Sequence, residues 1–136
     1  MPCFRDAQDV YDTIGEFLRE LVADPGFRAP DMVVRYELSE PEAVITTVME
    51  QGAPGRVACG ESALRPEVTV RMKADTAHLF WLGEADVSTA VARREITAEG
   101  HFARILELMR LSKTAAPRYR AQLAREGRLD LLGSAA

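Results

Sequence analysis

Pro66-Glu-Val-Thr-Val-Arg-Met-Lys-Ala-Asp-Thr-Ala-His-Leu-Phe-Trp-Leu-Gly83 reads as a strand running straight into a short helix. Val68, Val70 and Met72 alternate with Thr69, Arg71 and Lys73, the period of a strand with one buried face. Asp75 breaks the alternation and is placed to cap a helix. Ala77, Phe80 and Trp81 then share one side at i, i+3, i+4 spacing. Gly83 ends that helix, because glycine takes positive φ without a steric penalty. Working outward, a second short helix is expected over 87–92 behind Asp86, and Glu95-Ile96-Thr97 reads as a short strand. Glu99-Gly100 turns into a third helix over 100–111, with Phe102, Ile105, Leu106 and Met109 on one face.

This order of elements resembles the sterol carrier protein 2 (SCP2) family of lipid-binding domains. There a strand also runs into an Asp-led short helix, followed by a Gly, a second short helix, a strand, a Gly and a closing apolar helix. The matching residues are Val68-Thr-Val, Ala74-Asp75, Trp81-Leu-Gly83, Ala90 to Arg93, Ile96 and Gly100, and the resemblance extends from about Val68 to Leu111. It implies a tunnel between sheet and helices that holds sterols, fatty acids or fatty acyl-CoA. Carried over by position, the lining would come from Ile45, Met49, Phe80, Trp81, Phe102, Ile105, Leu106 and Met109. The ending Gly133-Ser-Ala-Ala136 is not the peroxisomal signal of eukaryotic members, so the chain is more similar to the small bacterial stand-alone type.

Before this region, Val10, Ile14, Phe17, Leu18 and Leu21 mark the apolar face of a helix over 8–23. Its other face carries Asp9, Asp12, Glu16, Arg19 and Glu20, which suits a helix lying on a sheet rather than on anionic lipid. Asp24-Pro-Gly stops it, and 27–30 reads as a loop. Strands are expected over 32–38, 43–50 and 56–61, with Ser39 to Glu42 and Gln51 to Gly55 as turns. The second of these is apolar on both faces, which marks a central strand covered twice. A last helix is expected over 114–127, with Pro117 in its first turn, where the missing N–H costs little. Its arginines, Arg118, Arg120, Arg125 and Arg128, read first as a solvated face along one edge; a basic surface for an anionic headgroup is the sharper alternative. After Gly127 the chain is expected to fray. The whole of 1–136 is therefore expected to be one α+β domain, SCP2-like. About five mainly antiparallel strands are covered by helices, with the core over 8–111.

Composition narrows the function. The 136 residues suit one core, 47% are hydrophobic and the net charge is −4, which is ordinary for a globular domain. No basic stripe invites nucleic acid before the C-terminus. No apolar run approaches the roughly 20 residues of a membrane span. The start has no signal-peptide layout, so a cytoplasmic location is expected, with Cys3 and Cys59 as free thiols.

No catalytic set assembles in the sequence. There is no Gly-rich phosphate loop, no Cys or His spacing for zinc and no nucleophile elbow around Ser39, Ser62, Ser88 or Ser112. Asp75 and His78 could form an acid/base couple on one helix face, but a capping Asp75 with an exposed His78 explains both more simply. His101 and Arg104, near the start of the third helix, are candidates for polar groups at a pocket mouth. The stronger signal is the crowding of large apolar groups. The helix over 100–111 is apolar on more than one face, so it must be covered on two sides.

The expected function is a non-enzymatic carrier or binding protein for an apolar small molecule, a lipid, fatty acyl or polyketide-like compound, without cofactor or metal. The ligand-binding residues would be Ile45, Met49, Phe80, Trp81, His101, Phe102, Ile105, Leu106 and Met109. Two alternatives stay open: an enzyme using His78 or His101 in the same pocket, and an interaction module or homodimer joined through the surplus apolar face.

Overall fold

The computed structural model describes residues 3–24, 31–50 and 53–132. The expected loop over 27–30, the first part of the turn after the second strand, and the tail 134–136 lie outside them. The alternating segments form five strands: β1 (Met32–Ser39), β2 (Ala43–Met49), β3 (Arg56–Cys59), β4 (Val68–Lys73) and β5 (Ile96–Gly100). They make one sheet in the order β3-β2-β1-β4-β5. Only β1 and β4 run parallel; the other three pairings are antiparallel.

Because side chains alternate along each strand, the registers line up rows on the helix-facing side. Ile96, Met72, Leu38 and Ala43 form one row. Ala98, Val70, Tyr36, Ile45 and Cys59 form the next, and Gly100, Val68, Val34, Thr47 and Val57 the third. Met32 and Met49 pair beyond it. The opposite face carries a charge ladder. Glu37 accepts from Arg35 at 2.6 Å and from Arg71 at 2.8 Å, and Arg71 reaches Glu99 at 2.8 Å. The β3–β4 connection crosses this face, where Arg35 also holds Glu61 at 3.2 Å. Thr46 and Val48 are buried there, which explains why β2 reads as apolar on both sides.

The first helix is a continuous run: α1 (Ala7–Val10), a π-helical segment (Tyr11–Gly15) and α2 (Glu16–Ala23). Its expected apolar face, Val10, Ile14, Phe17, Leu18 and Leu21, is buried. After β4 come α3 (Ala74–Leu82) and α4 (Val87–Ala92), and after β5 come α5 (Phe102–Arg125) and α6 (Leu129–Leu132). Two glycines are required by geometry. Gly83 has φ +75 and ends α3 in the left-handed region, with the Glu84 N–H returning to the Leu79 carbonyl at 3.0 Å. Gly100 has φ +137, and a Cβ there would lie 2.3 Å from the Glu67 carbonyl oxygen. Among the described residues no helix is long and apolar enough to cross a membrane.

Four expectations are corrected. Asp75 does not cap α3: Lys73 occupies that position without a side-chain cap, and the Asp75 carboxylate accepts the Cys3 N–H at 2.8 Å. His78 is fully buried rather than exposed. The helices expected over 100–111 and 114–127 are one helix, α5, with Pro117 in its interior. Interior proline costs about 3 kcal/mol, but Ser112, Ala115, Ala116, Tyr119 and Leu123 form a buried stripe spanning it, and that packing carries the helix through. Finally, the chain does not fray at Gly127. Leu131 in α6 is buried, and Arg128 donates to the buried Asp9 carboxylate at 3.0 Å.

Candidate functional site

The two halves of α5 are packed very differently. In its second half Ser112, Ala115, Ala116, Tyr119, Gln122 and Leu123 are buried. In its first three turns only Leu108 is. Yet this first part is the more apolar. Phe102 is 74% exposed and Leu106 37% exposed, while Ile105, Met109 and Leu111 are half-buried. The helix starts at the sheet end where Gly100, Val68, Val34, Thr47 and Val57 lie level, and where Met32 and Met49 continue the row. Arg104 stands 3.8 Å from Glu67, the residue before β4, and so ties this turn to the edge of the sheet. An apolar helix face that water still reaches, at the rim of a sheet lined with short side chains and methionines, is where an added apolar group would gain burial.

The residues expected to bind ligand fall into two sets. Ile45, Met49, Phe80 and Trp81 are buried in the packed interior. Trp81 lies edge-on to Phe17 at 5.4 Å, Phe80 at 5.1 Å and Tyr36 at 6.0 Å between ring centroids. Phe17 continues to Tyr119 at 4.9 Å. These rings form an aromatic layer in the buried interior between sheet and helices. His101, Phe102 and Leu106 face solvent, and Ile105 and Met109 lie between the two sets.

His78 does not couple to Asp75. Its Nε2 lies 3.0 Å from the Leu131 carbonyl and its Nδ1 2.9 Å from the Tyr119 hydroxyl. A carbonyl can only accept, so Nε2 carries the hydrogen and Tyr119 O–H donates to Nδ1. Burial depresses the His78 pKa, against a smaller opposite pull from the Leu131 carbonyl and Asp75. Burial likewise pushes the Tyr119 and Tyr36 hydroxyls far up. With both ring nitrogens occupied in a buried site, His78 joins α3, α5 and α6 as a structural clamp.

Reading the sequence missed Gln122 as an interior group. The signal was present: Ser112, Ala115, Ala116, Tyr119, Gln122 and Leu123 keep i, i+3, i+4, i+7 spacing straight through Pro117. The arginines of this half do not form a free basic surface. Arg118 pairs with Asp24, Arg120 with Glu84 at 2.7 Å, Arg125 with Glu20 at 3.4 Å and Arg128 with Asp9 and Asp130. The outer face of the sheet holds an open depression of about 900 Å³ lined by Arg35, Glu37, Arg71 and Lys73. There Glu37 is held below the usual carboxylate range, first by its hydrogen bond from Arg35. Arg35 and Arg71 share Glu37 and reach Glu61 and Glu99 as well, and Lys73 pairs with Glu40 at 3.2 Å.

No family model and no curated protein sequence matches the chain. Solved structures do. The stereoselective inverting sec-alkylsulfatase Pisa1 from Pseudomonas sp. matches at 18% identity and a TM-score of 0.52, over 60% of this chain but only 13% of the sulfatase. The ubiquinone synthesis protein UbiJ-SCP2 matches at 18% identity and a TM-score of 0.60, over 78% of this chain and 95% of that one. Sterol carrier protein 2 from Aedes aegypti, solved in complex with the C16 fatty acid palmitate, matches at 16% identity and 0.56, over 78% and 93%. Together with the strand order and the strand-to-helix unit at Gly83, these matches show that the chain has the SCP2-like α+β fold.

Proposed function

We propose that this protein binds and carries an apolar small molecule, with a lipid or fatty acyl chain as the best-fitting class, between the sheet and the first three turns of α5. The observation that carries the reading is the apolar helix face of Phe102, Ile105, Leu106 and Met109, which is incompletely covered while the inward stripe of the second half of α5, from Ser112 to Leu123, is buried. Covering it removes apolar surface from water at roughly 25 cal/mol per Å². Ligand uptake would proceed by the first turns of α5 lifting from the β4–β5 edge. Met49 and Met109 would adapt to the bound shape. His101 and Arg104, at the first turn, would meet the polar end of the ligand at the mouth. The fold supports this reading, and so does the palmitate held by the mosquito neighbour.

Native mass spectrometry of freshly purified protein, paired with organic extraction of the same sample, tests the proposal. A discrete added mass that is lost on denaturation and recovered in the extract is expected. A clean homodimer without adduct, unchanged by added palmitate, would overturn it in favour of an apolar face used for self-association.

A further inference from the structure

We propose that the first half of α5 docks the protein on an anionic lipid bilayer, lying in the headgroup layer with Phe102 and Leu106 turned into it. α5 is a basic helix in an acidic protein. Arg104, Arg110, Lys113, Arg118, Arg120 and Arg125 stand against one acid of the helix, Glu107, while the net charge of the chain is −4. Most of these cations are already paired. Arg104 lies near Glu67 and Glu107, Arg118 pairs with Asp24, Arg120 with Glu84 and Arg125 with Glu20. Arg110 and Lys113 are different. Both are exposed, and neither side chain has an ion pair or hydrogen bond to any other described residue.

Their place on the helix points to what they meet. At about 100° per residue, Phe102, Leu106, Met109, Arg110 and Lys113 fall within about a third of the helix circumference. Phe102, at 74%, is the most exposed large apolar side chain among the described residues. Glu107 lies outside this arc and is held by Arg104 at 3.4 Å, so no acid interrupts the stripe. Exposed apolar groups one turn apart, continued along the same stripe by unpaired cations, are what a helix in a membrane interface needs. The stems of Arg110 and Lys113 can follow the apolar boundary while their charged ends stay among lipid phosphates. A protein partner fits less well. The stripe is about 16 Å long and about 10 Å wide, an area near 160 Å², whereas a stable protein interface takes about 800 Å² from each side. A fluid bilayer has no such requirement, because it moulds to the side chains that enter it. The inference rests on the carrier reading for what would cross the contact, since Phe102 and Leu106 also border the proposed ligand site; docking itself belongs to the empty protein.

Vesicle flotation of the full chain tests it, with phosphatidylcholine vesicles compared with vesicles in which about 30% of the lipid is phosphatidylglycerol. The protein is expected to float with the anionic vesicles at low salt and to leave them at high salt, where the charges are screened. Arg110→Gln combined with Lys113→Gln, both at exposed positions, should weaken that partition about 30-fold, at roughly fivefold for each cation near an anionic surface. The same double variant should bind palmitate with the affinity of the parent in calorimetric titration, because neither residue belongs to the ligand site. Vesicle binding without palmitate binding would sink the carrier reading and support the docking surface. Palmitate binding without flotation on anionic vesicles would overturn the docking surface alone. Equal partition into both kinds of vesicle, or a double variant that floats like the parent, would overturn it as well.

Discussion

Replacing Phe102 by Ser separates a binding role from a packing role. Phe102 keeps 74% of its surface in water, so its removal should leave the fold alone, within about 0.5 kcal/mol, as for other exposed positions. If a ligand covers it, the side chain has most of its burial still to gain. Full burial of Phe is worth up to about 3 kcal/mol, and three-quarters of that is about 2 kcal/mol. Lost from binding, this is roughly a 30-fold rise in Kd. The assay is calorimetric titration with palmitate, alongside thermal unfolding of both proteins. A Kd for Phe102→Ser within a factor of about three of the parent, with unchanged stability, would refute the site. A steep fall in stability would refute the reasoning in another way, because it would mean that Phe102 already packs against the fold.

Trp81→Ala is expected to do the opposite, lowering stability by about 3–5 kcal/mol in denaturant unfolding, because Trp81 is buried against Phe17, Tyr36 and Phe80. Tyr119→Phe leaves His78 Nδ1 buried without its donor, at a cost of about 2 kcal/mol. At about 2.1 cal/mol/K per residue that is a drop of roughly 7 °C in Tm, and an unchanged Tm would show that the hydroxyl contributes nothing. The depressed pKa of His78 also sets a sign. Below about pH 6.5 the unfolded chain takes up a proton that the folded chain refuses, so stability present above that pH is lost as pH falls toward the folded value. His78→Gln should flatten that acid limb, measured as unfolding free energy against pH, and a parallel curve would rule the linkage out. Arg128→Ala removes the nearer of the two guanidinium groups on the buried Asp9, leaving Arg5 at 3.8 Å; hydrogen exchange at Leu131 should speed up as α6 loosens, and unchanged protection would argue against the clamp.

What could be read from the chain was local and periodic. Val68, Val70 and Met72 alternate because a strand has period two, and their burial opposite Val34, Tyr36 and Leu38 follows directly. Gly83 ends α3 because a left-handed residue is needed there, and that is a property of one residue. The order of strand, short helix, glycine, short helix, strand and closing helix therefore sufficed to point to the fold. The candidate apolar face at Phe102, Ile105, Leu106 and Met109 was also legible, since helical spacing alone places them together.

Contacts between residues distant in the chain were not legible. Asp75 is an acceptable cap by its type, yet Cys3, far away in sequence, takes its carboxylate. His78 reads as surface because histidine usually is, but Tyr119 and Leu131 satisfy both its nitrogens and make burial tolerable. Pro117 looks like a helix start because an interior proline loses a hydrogen bond, and only the buried stripe on either side of it outweighs that loss. Periodicity and backbone preference are written into neighbouring residues, whereas the fate of a polar side chain depends on which partner the fold delivers to it. Strands, glycine turns and apolar faces are therefore legible residue by residue, whereas the order of the strands, the clamp at His78, the single helix α5 and the burial of Gln122 follow only from long-range packing.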